Sequence, residues 1–195
     1  MKKTFLLSLL LVSLLSFAQD KPEGLFINSK APDFKVKDQN GMDINLKDLR
    51  KKGPVVLMFY RGYWCPYCNK ELTRFQDSLA LITAKGAQLI AITPETTEGI
   101  AKTVEKTKAS FPIISDKDMI LTKAYAGAFD VDDRTRMRYK SAGIDLLENN
   151  AQKEKASLPV PAIYIINRDG TVIYRYFDAD YKKRPSVQEI LANIK

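Results

Sequence analysis

Both cysteines of this 195-residue chain lie in one short stretch, Arg61-Gly62-Tyr63-Trp64-Cys65-Pro66-Tyr67-Cys68, three positions apart. Before it runs Val55-Val56-Leu57-Met58-Phe59-Tyr60, an apolar and partly β-branched pattern that predicts a buried strand. After it Leu72, Phe75, Leu79 and Ile82 recur at helical spacing, which predicts a long helix from near Cys65 to Gly86. Few chains place a dithiol where a strand turns into a helix, and the placement narrows fold and chemistry together.

Residues three apart on a helix share a face, roughly 5–6 Å apart at Cβ, a spacing compatible with a Cys65–Cys68 disulfide. Cys65 is expected at the helix N-terminus, where unpaired N–H groups and the macrodipole favour an anion. A thiol at its ordinary value of about 8.5 is only about 3 % ionised at pH 7, so lowering it supplies the nucleophile. Pro66 suits the first turn because its missing N–H has no intrahelical partner there. Cys68, one turn in, is expected to be the less exposed sulfur and the resolving one. The cycle this predicts is attack by Cys65 on an S–S or O–O bond, closure by Cys68, and reset by an external dithiol. Such a dithiol after a strand is the redox motif of the thioredoxin architecture. Arg61 is a candidate to stabilise the thiolate or a departing oxygen. Trp64, Tyr63 and Tyr67 are expected at the rim.

The chain contains no histidine. That excludes Ser-His-Asp and Cys-His hydrolases, His-ligated zinc or haem, and His acid–base catalysis. Two cysteines cannot build a four-cysteine zinc or iron–sulfur site, so no metal and no cofactor is expected. The formal net charge is +8, but the basic residues are interspersed with acidic ones, which argues against nucleic-acid binding. Lys2 and Lys3, the apolar run Phe5 to Leu15, and Ser16-Phe17-Ala18 predict a signal peptide over 1–18, cleaved after Ala18. The run is too short to span a bilayer comfortably. The mature protein is therefore expected to be exported, periplasmic or secreted, with no membrane attachment after cleavage.

Residues 19–30 read as a loose polar segment and 31–195 as one domain. An N-terminal β-hairpin is expected from Ala31–Val36 and Met42–Leu46 around Asp38-Gln39-Asn40-Gly41, then a helical turn over Leu46–Lys52. Gln88–Thr93 reads as a strand parallel to the first through a right-handed crossover. A helix after Pro94, with Ile100 and Val104 inward, a short strand near Phe111–Ser115 and a helix over Asp116–Tyr125 follow. Ala126–Leu158, with Arg134, Arg136 and Arg138, lacks a clear period and is taken as an insertion covering one edge of the site. Pro161–Ile166 and Thr171–Phe177 form a hairpin around Asn167-Arg168-Asp169-Gly170, and Ser186-Val187-Gln188-Glu189 opens the last helix as a capping box. The order predicts an α/β fold: a central mixed sheet with helices on both faces.

At this point Ala31-Pro32-Asp33-Phe34, Tyr60 to Cys68, Leu158-Pro159-Val160-Pro161-Ala162, Arg168-Asp169-Gly170, Asp178-Ala179-Asp180-Tyr181 and Arg184-Pro185 stand together. In them the chain resembles the peroxiredoxin-like branch of the alkyl hydroperoxide reductase/thiol-specific antioxidant family, of thioredoxin fold. The resemblance implies that Cys65 is the attacking, peroxidatic cysteine and that electrons come from a thioredoxin-like donor. It also implies a cis Val160–Pro161 bond facing the dithiol, with the Val160 backbone free to pair with substrate. Typical peroxiredoxins carry Pro seven residues and Thr or Ser three residues before that cysteine; here Met58 and Gly62 stand there, and Trp64 to Cys68 looks more like a thioredoxin or glutaredoxin site.

Three functions stay open on the sequence. One is a peroxidase acting on hydroperoxides. Another is a thiol–disulfide oxidoreductase acting on protein disulfides. The third is an exported binding module with a redox-inert cysteine pair.

Overall fold

Every side chain of Val55–Phe59 is withdrawn from water, and a strand without a polar face must be covered on both sides. In the computed structural model, which describes residues 21–195, that strand is the middle of five. In chain order the elements are β1 (Lys35–Lys37), β2 (Asp43–Asn45), α1 (Leu46–Lys52), β3 (Val55–Phe59), α2 (Pro66–Asp77) and α3 (Leu79–Ala84). Next come β4 (Gln88–Thr93), α4 (Thr97–Thr107), β5 (Ile113–Ser115), α5 (Ile120–Ala124), β6 (Ala128–Asp130) and α6 (Asp133–Ser141). The chain ends with α7 (Leu146–Asn149), β7 (Ser157–Pro159), β8 (Ala162–Ile166), β9 (Val172–Phe177) and α8 (Val187–Asn193). The predicted leader and its cleavage after Ala18 lie outside the described residues.

The central sheet runs β5-β4-β3-β8-β9, with β3, β4 and β5 parallel and β8 and β9 antiparallel. It is the predicted mixed sheet. Alternation along β3 divides the core. Val56, Met58 and Tyr60 face Leu72 and Phe75 of α2, Ile100 of α4 and Ile190 of α8. Val55, Leu57 and Phe59 face Leu46 of α1, Leu121 of α5 and Tyr125. Helices therefore cover both faces, and each fully buried Leu or Phe contributes roughly 1.5–3 kcal/mol. The hairpin β1–β2 forms its own two-stranded sheet, its turn held by Asp38, whose Oδ1 accepts from the Asn40 and Met42 N–H groups.

Three local expectations are corrected. The long helix after Cys65 is two helices, parted at Ser78; Asp77 and Ser78 are weak helix formers that compete for backbone bonds, and Ile82 still reaches the core. The helix expected from Asp116 starts only at Ile120, because Asp116 caps it by accepting from the Leu121 and Thr122 N–H groups. The described part of the segment expected to be loose is pinned: Gly24 N–H donates to Ala126 O and Asn28 N–H to Val172 O.

The region 126–158 pairs β6 with β7 and carries α6 and α7 between them. Its small apolar cluster of Leu146, Ala156 and Leu158 packs against Trp64, as expected of a cover over the site.

Candidate active site

β3 leaves the sheet at Tyr60, whose N–H still donates to Ile92 O, and the chain turns through Gly62 before helix α2 begins. Gly62 sits at φ +150°, and a Cβ there would lie 2.5 Å from Trp64 Nε1, so only glycine fits. Cys65 is the N-cap of α2: its extended backbone precedes the helix and its Sγ accepts from the Cys68 N–H at 3.4 Å. Pro66 takes the first helical position, as predicted.

Both cysteines are thiols, with their sulfurs 2.6 Å apart. The Cys65 thiol is lowered to about 7, first by the hydrogen bond from Cys68, then by Arg61, the Cys68 N–H and Arg184, against the opposing effect of burial. Cys68 moves the other way, pushed well up by burial and by its bonded partner Cys65. The two sulfurs thus differ in how readily they ionise. Cys65 is only 1 % exposed and Cys68 fully buried.

The cover is an aromatic collar around Arg61. Its guanidinium lies 4.8 Å from the Trp64 ring, 5.6 Å from Tyr139 and 4.1 Å from Tyr181, and its Nη2 donates to the Tyr139 hydroxyl. Tyr139 comes from α6 and Tyr181 from the segment before α8, so the collar joins three distant parts of the chain. Trp64 Nε1 and Arg61 Nε are buried donors without a partner.

Two buried carboxylates support the site, and neither was singled out from the sequence. Glu95, fully buried, accepts from the Tyr63 N–H at 2.6 Å and from the Thr93 and Thr103 hydroxyls. It anchors the turn that presents Arg61 and Cys65. Burial raises its carboxyl above the usual range. Glu71 follows Cys68 by one turn of α2 and pairs with Arg184 at 2.6 Å, both side chains nearly inaccessible. Burial pushes Glu71 up to about 7 against the pull of Arg184. The Arg184 Nη2 lies 3.5 Å from Cys68 Sγ. Glu71 is legible as an acid on the inner face of a helix; Arg184 is marked in the sequence only as part of the Arg184-Pro185 stretch of the resemblance, with nothing that pairs it to Glu71.

The predicted residues Arg61, Trp64, Cys65, Pro66 and Cys68 come together. Val160 and Pro161 reach the same end of the sheet, since Phe59, at the end of β3, pairs with Ala162, the residue after Pro161. Their expected cis bond is a correction: among the described residues no peptide bond is cis. The chain enters β8 directly from β7, which is paired to β6, and the Val160 N–H is bonded to Gly127 O at 2.8 Å. Trans is the ordinary X–Pro preference, by about 0.5–1 kcal/mol. Of the predicted arginine run, Arg136 pairs with Asp133, while Arg134 and Arg138 are exposed.

A mixed sheet with a dithiol at the strand-to-helix junction defines a thiol-dependent oxidoreductase of thioredoxin-like fold. Residues 27–175 match the AhpC/TSA family, and the chain belongs to that family. The matched span ends before Arg184. The chain is 28 % identical to the thiol-disulfide oxidoreductase ResA of Bacillus cereus over 169 residues, 86 % of this chain and 79 % of that protein. It is 29 % identical to the chloroplastic peroxiredoxin Q of Sedum lineare over 133 residues, 65 % and 71 % of the two chains. Among solved structures, peroxidoxin BcpB from Mycobacterium tuberculosis superposes with TM-score 0.64 at 20 % identity, covering 86 % of this chain and 94 % of that one. Peroxiredoxin 6 of Arenicola marina gives 0.68 at 19 %, covering 86 % and 71 %. These structural likenesses show the fold.

Proposed function

We propose that the protein is an exported dithiol peroxidase that reduces small hydroperoxides and is reset by a thioredoxin-like donor. The observation that carries this reading is the bond from the Val160 N–H to Gly127 O. A protein disulfide held beside the dithiol needs a free backbone edge to pair with. Here that edge is filled: β6 pairs with β7, Phe129 opposite Leu158, and Gly127, just before β6, accepts from the Val160 N–H. With the edge filled, a hydroperoxide, which needs no strand pairing, suits the site better as substrate than a polypeptide held along that edge.

The chemistry follows from the groups present. The Cys65 thiolate attacks one oxygen of the hydroperoxide; the O–O bond breaks, and with a proton the products are an alcohol and Cys65 sulfenic acid. Cys68 then attacks that sulfur, forming the disulfide and releasing water. Two thiols of the donor return both cysteines to the reduced state. Arg61 supplies positive charge for the departing oxygen, and the unpartnered Trp64 Nε1 and Arg61 Nε are available as donors to it. Export rests on the leader over 1–18, and sequencing the mature N-terminus checks it, with Gln19 expected first.

A second reading, reduction of protein disulfides, is favoured by Gly62, which offers no hydroxyl to orient a peroxide. Rates with hydrogen peroxide and with a model protein disulfide separate the two. The peroxidase requires reduced protein to react with peroxide about 100-fold faster than a free thiol, a barrier lower by about 2.7 kcal/mol. A peroxide rate no better than a free thiol, with rapid reduction of the protein disulfide, establishes the second reading instead.

A further inference from the structure

Arg184 stands at the meeting point of two groups that both want a cation. Its Nε donates to Glu71 Oε2 at 2.6 Å and its Nη2 lies 3.5 Å from Cys68 Sγ. Its Nη1 donates to the Tyr181 and Lys183 carbonyls at 2.5 and 2.6 Å, which fix the guanidinium from the side away from α2. The other Glu71 oxygen, Oε1, is buried with no partner. A structural ion pair built only for stability gains little from burial. This one also contacts a reacting sulfur.

We propose that Arg184 is a catalytic residue, the counter-ion that Glu71 and the Cys68 thiolate share in turn. The inference rests on the dithiol cycle above. In the reductive half, a donor thiolate attacks Cys65 Sγ, the Cys65–Cys68 bond breaks, and its electron pair leaves on Cys68 Sγ as a thiolate. A mixed disulfide joins donor and Cys65. Disulfide exchange is faster the better the leaving thiolate is stabilised, and Arg184 faces that atom. The Cys68 thiolate then takes the proton of neutral Glu71, and the Glu71 carboxylate takes over Arg184. The donor's second thiolate attacks its own sulfur in the mixed disulfide, releasing oxidised donor and the Cys65 thiolate. In the oxidative half the proton runs the other way: Cys68 gives it to Glu71, and Arg184 holds the sulfur while it attacks the Cys65 sulfenic acid. The Cys65 S–O bond breaks and the hydroxide leaves as water with a proton from solvent.

Loss of Glu71 and loss of Arg184 are expected to move the Cys68 sulfur in opposite directions. The test reads the Cys68 thiol pKa by ultraviolet thiolate absorbance in a Cys65→Ser background, where Cys68 is the only thiol. Glu71→Gln frees the cation for sulfur and is expected to lower that pKa by about one pH unit or more. Arg184→Met is expected to raise it by a similar amount. Because Arg184→Met strands a buried carboxylate and can unfold the chain, the double variant Glu71→Gln/Arg184→Met, which is neutral, is compared with Glu71→Gln alone and is expected to have the higher Cys68 pKa by about one pH unit or more. With Cys65 present, reduction of the oxidised double variant by dithiothreitol is expected to be about tenfold slower or more than in wild type. A Cys68 pKa in the double variant equal to that of Glu71→Gln alone, or a reduction rate unchanged from wild type, overturns the proposal. Neither readout uses peroxide, so failure here is distinct from failure of the peroxidase reading.

Discussion

Glu71 and Arg184, 113 positions apart in the chain, meet at 2.6 Å with their side chains all but removed from solvent. The pair closes the C-terminal segment onto helix α2 directly behind the dithiol. It makes the Cys68 sulfur part of a charged cluster, whereas the Cys65 sulfur sits at the helix N-terminus under the Arg61 collar.

The pH dependence of stability follows from Glu71. Its carboxyl is raised from the ordinary 4.5 to about 7 by burial, so the folded state binds its proton more tightly than the unfolded chain. The stabilisation from this proton is complete below about 4.5 and is lost as pH rises through about 7. The loss is on the order of 3 kcal/mol. Denaturant unfolding across that window is expected to show the decline, and Glu71→Gln is expected to shrink it, leaving the part due to buried Glu95.

The two cysteines are not interchangeable. Cys65→Ser is expected to abolish turnover. Cys68→Ser is expected to allow one attack and then hold the sulfenic acid or a mixed disulfide, which intact-mass measurement detects as a stoichiometric adduct. Equal residual turnover in both variants would contradict the assignment of roles.

Glu95 holds the turn in front of Cys65 through the Tyr63 N–H. Glu95→Ala leaves that half-buried donor and the buried Thr93 and Thr103 hydroxyls without their acceptor, at a cost of about 1 kcal/mol for the donor. Amide exchange at Tyr63 is expected to accelerate in Glu95→Ala and to remain slow in Glu95→Gln, which keeps an acceptor oxygen.

Gly62 cannot be repaired toward the hydroxyl of typical peroxiredoxins. At φ +150° and with the Trp64 indole 2.5 Å from its missing Cβ, Gly62→Thr must displace Trp64 and strain the backbone. A loss of about 2 kcal/mol or more in thermal or denaturant unfolding is expected, with peroxide reactivity falling as well.

The sequence carried those parts whose signals are local. The dithiol, its strand and the start of its helix lie within twenty-odd residues, and alternation and helical spacing report them directly. The hairpin turns at Asp38–Gly41 and Asn167–Gly170 were legible for the same reason, since Gly41 and Gly170 take the positive φ their turns need. The cover was not legible in detail. Helix α6 buries none of its residues, so it has no apolar stripe to betray it, and its contribution is the single ring of Tyr139. The Glu71–Arg184 pair was silent because nothing in either neighbourhood points to the other. The Val160–Pro161 bond misled because its geometry is set by the pairing of β6 and β7, which the sequence of 126–158 does not announce.

The most direct test is the rate at which the reduced protein reacts with hydrogen peroxide, followed by stopped-flow fluorescence of Trp64 from pH 5 to 9. A rate far above that of a free thiol, rising through a midpoint near 7 as Cys65 ionises, is the predicted result. A rate no faster than a free thiol, or a midpoint at the ordinary thiol value of about 8.5, would contradict a peroxidase built on an activated Cys65.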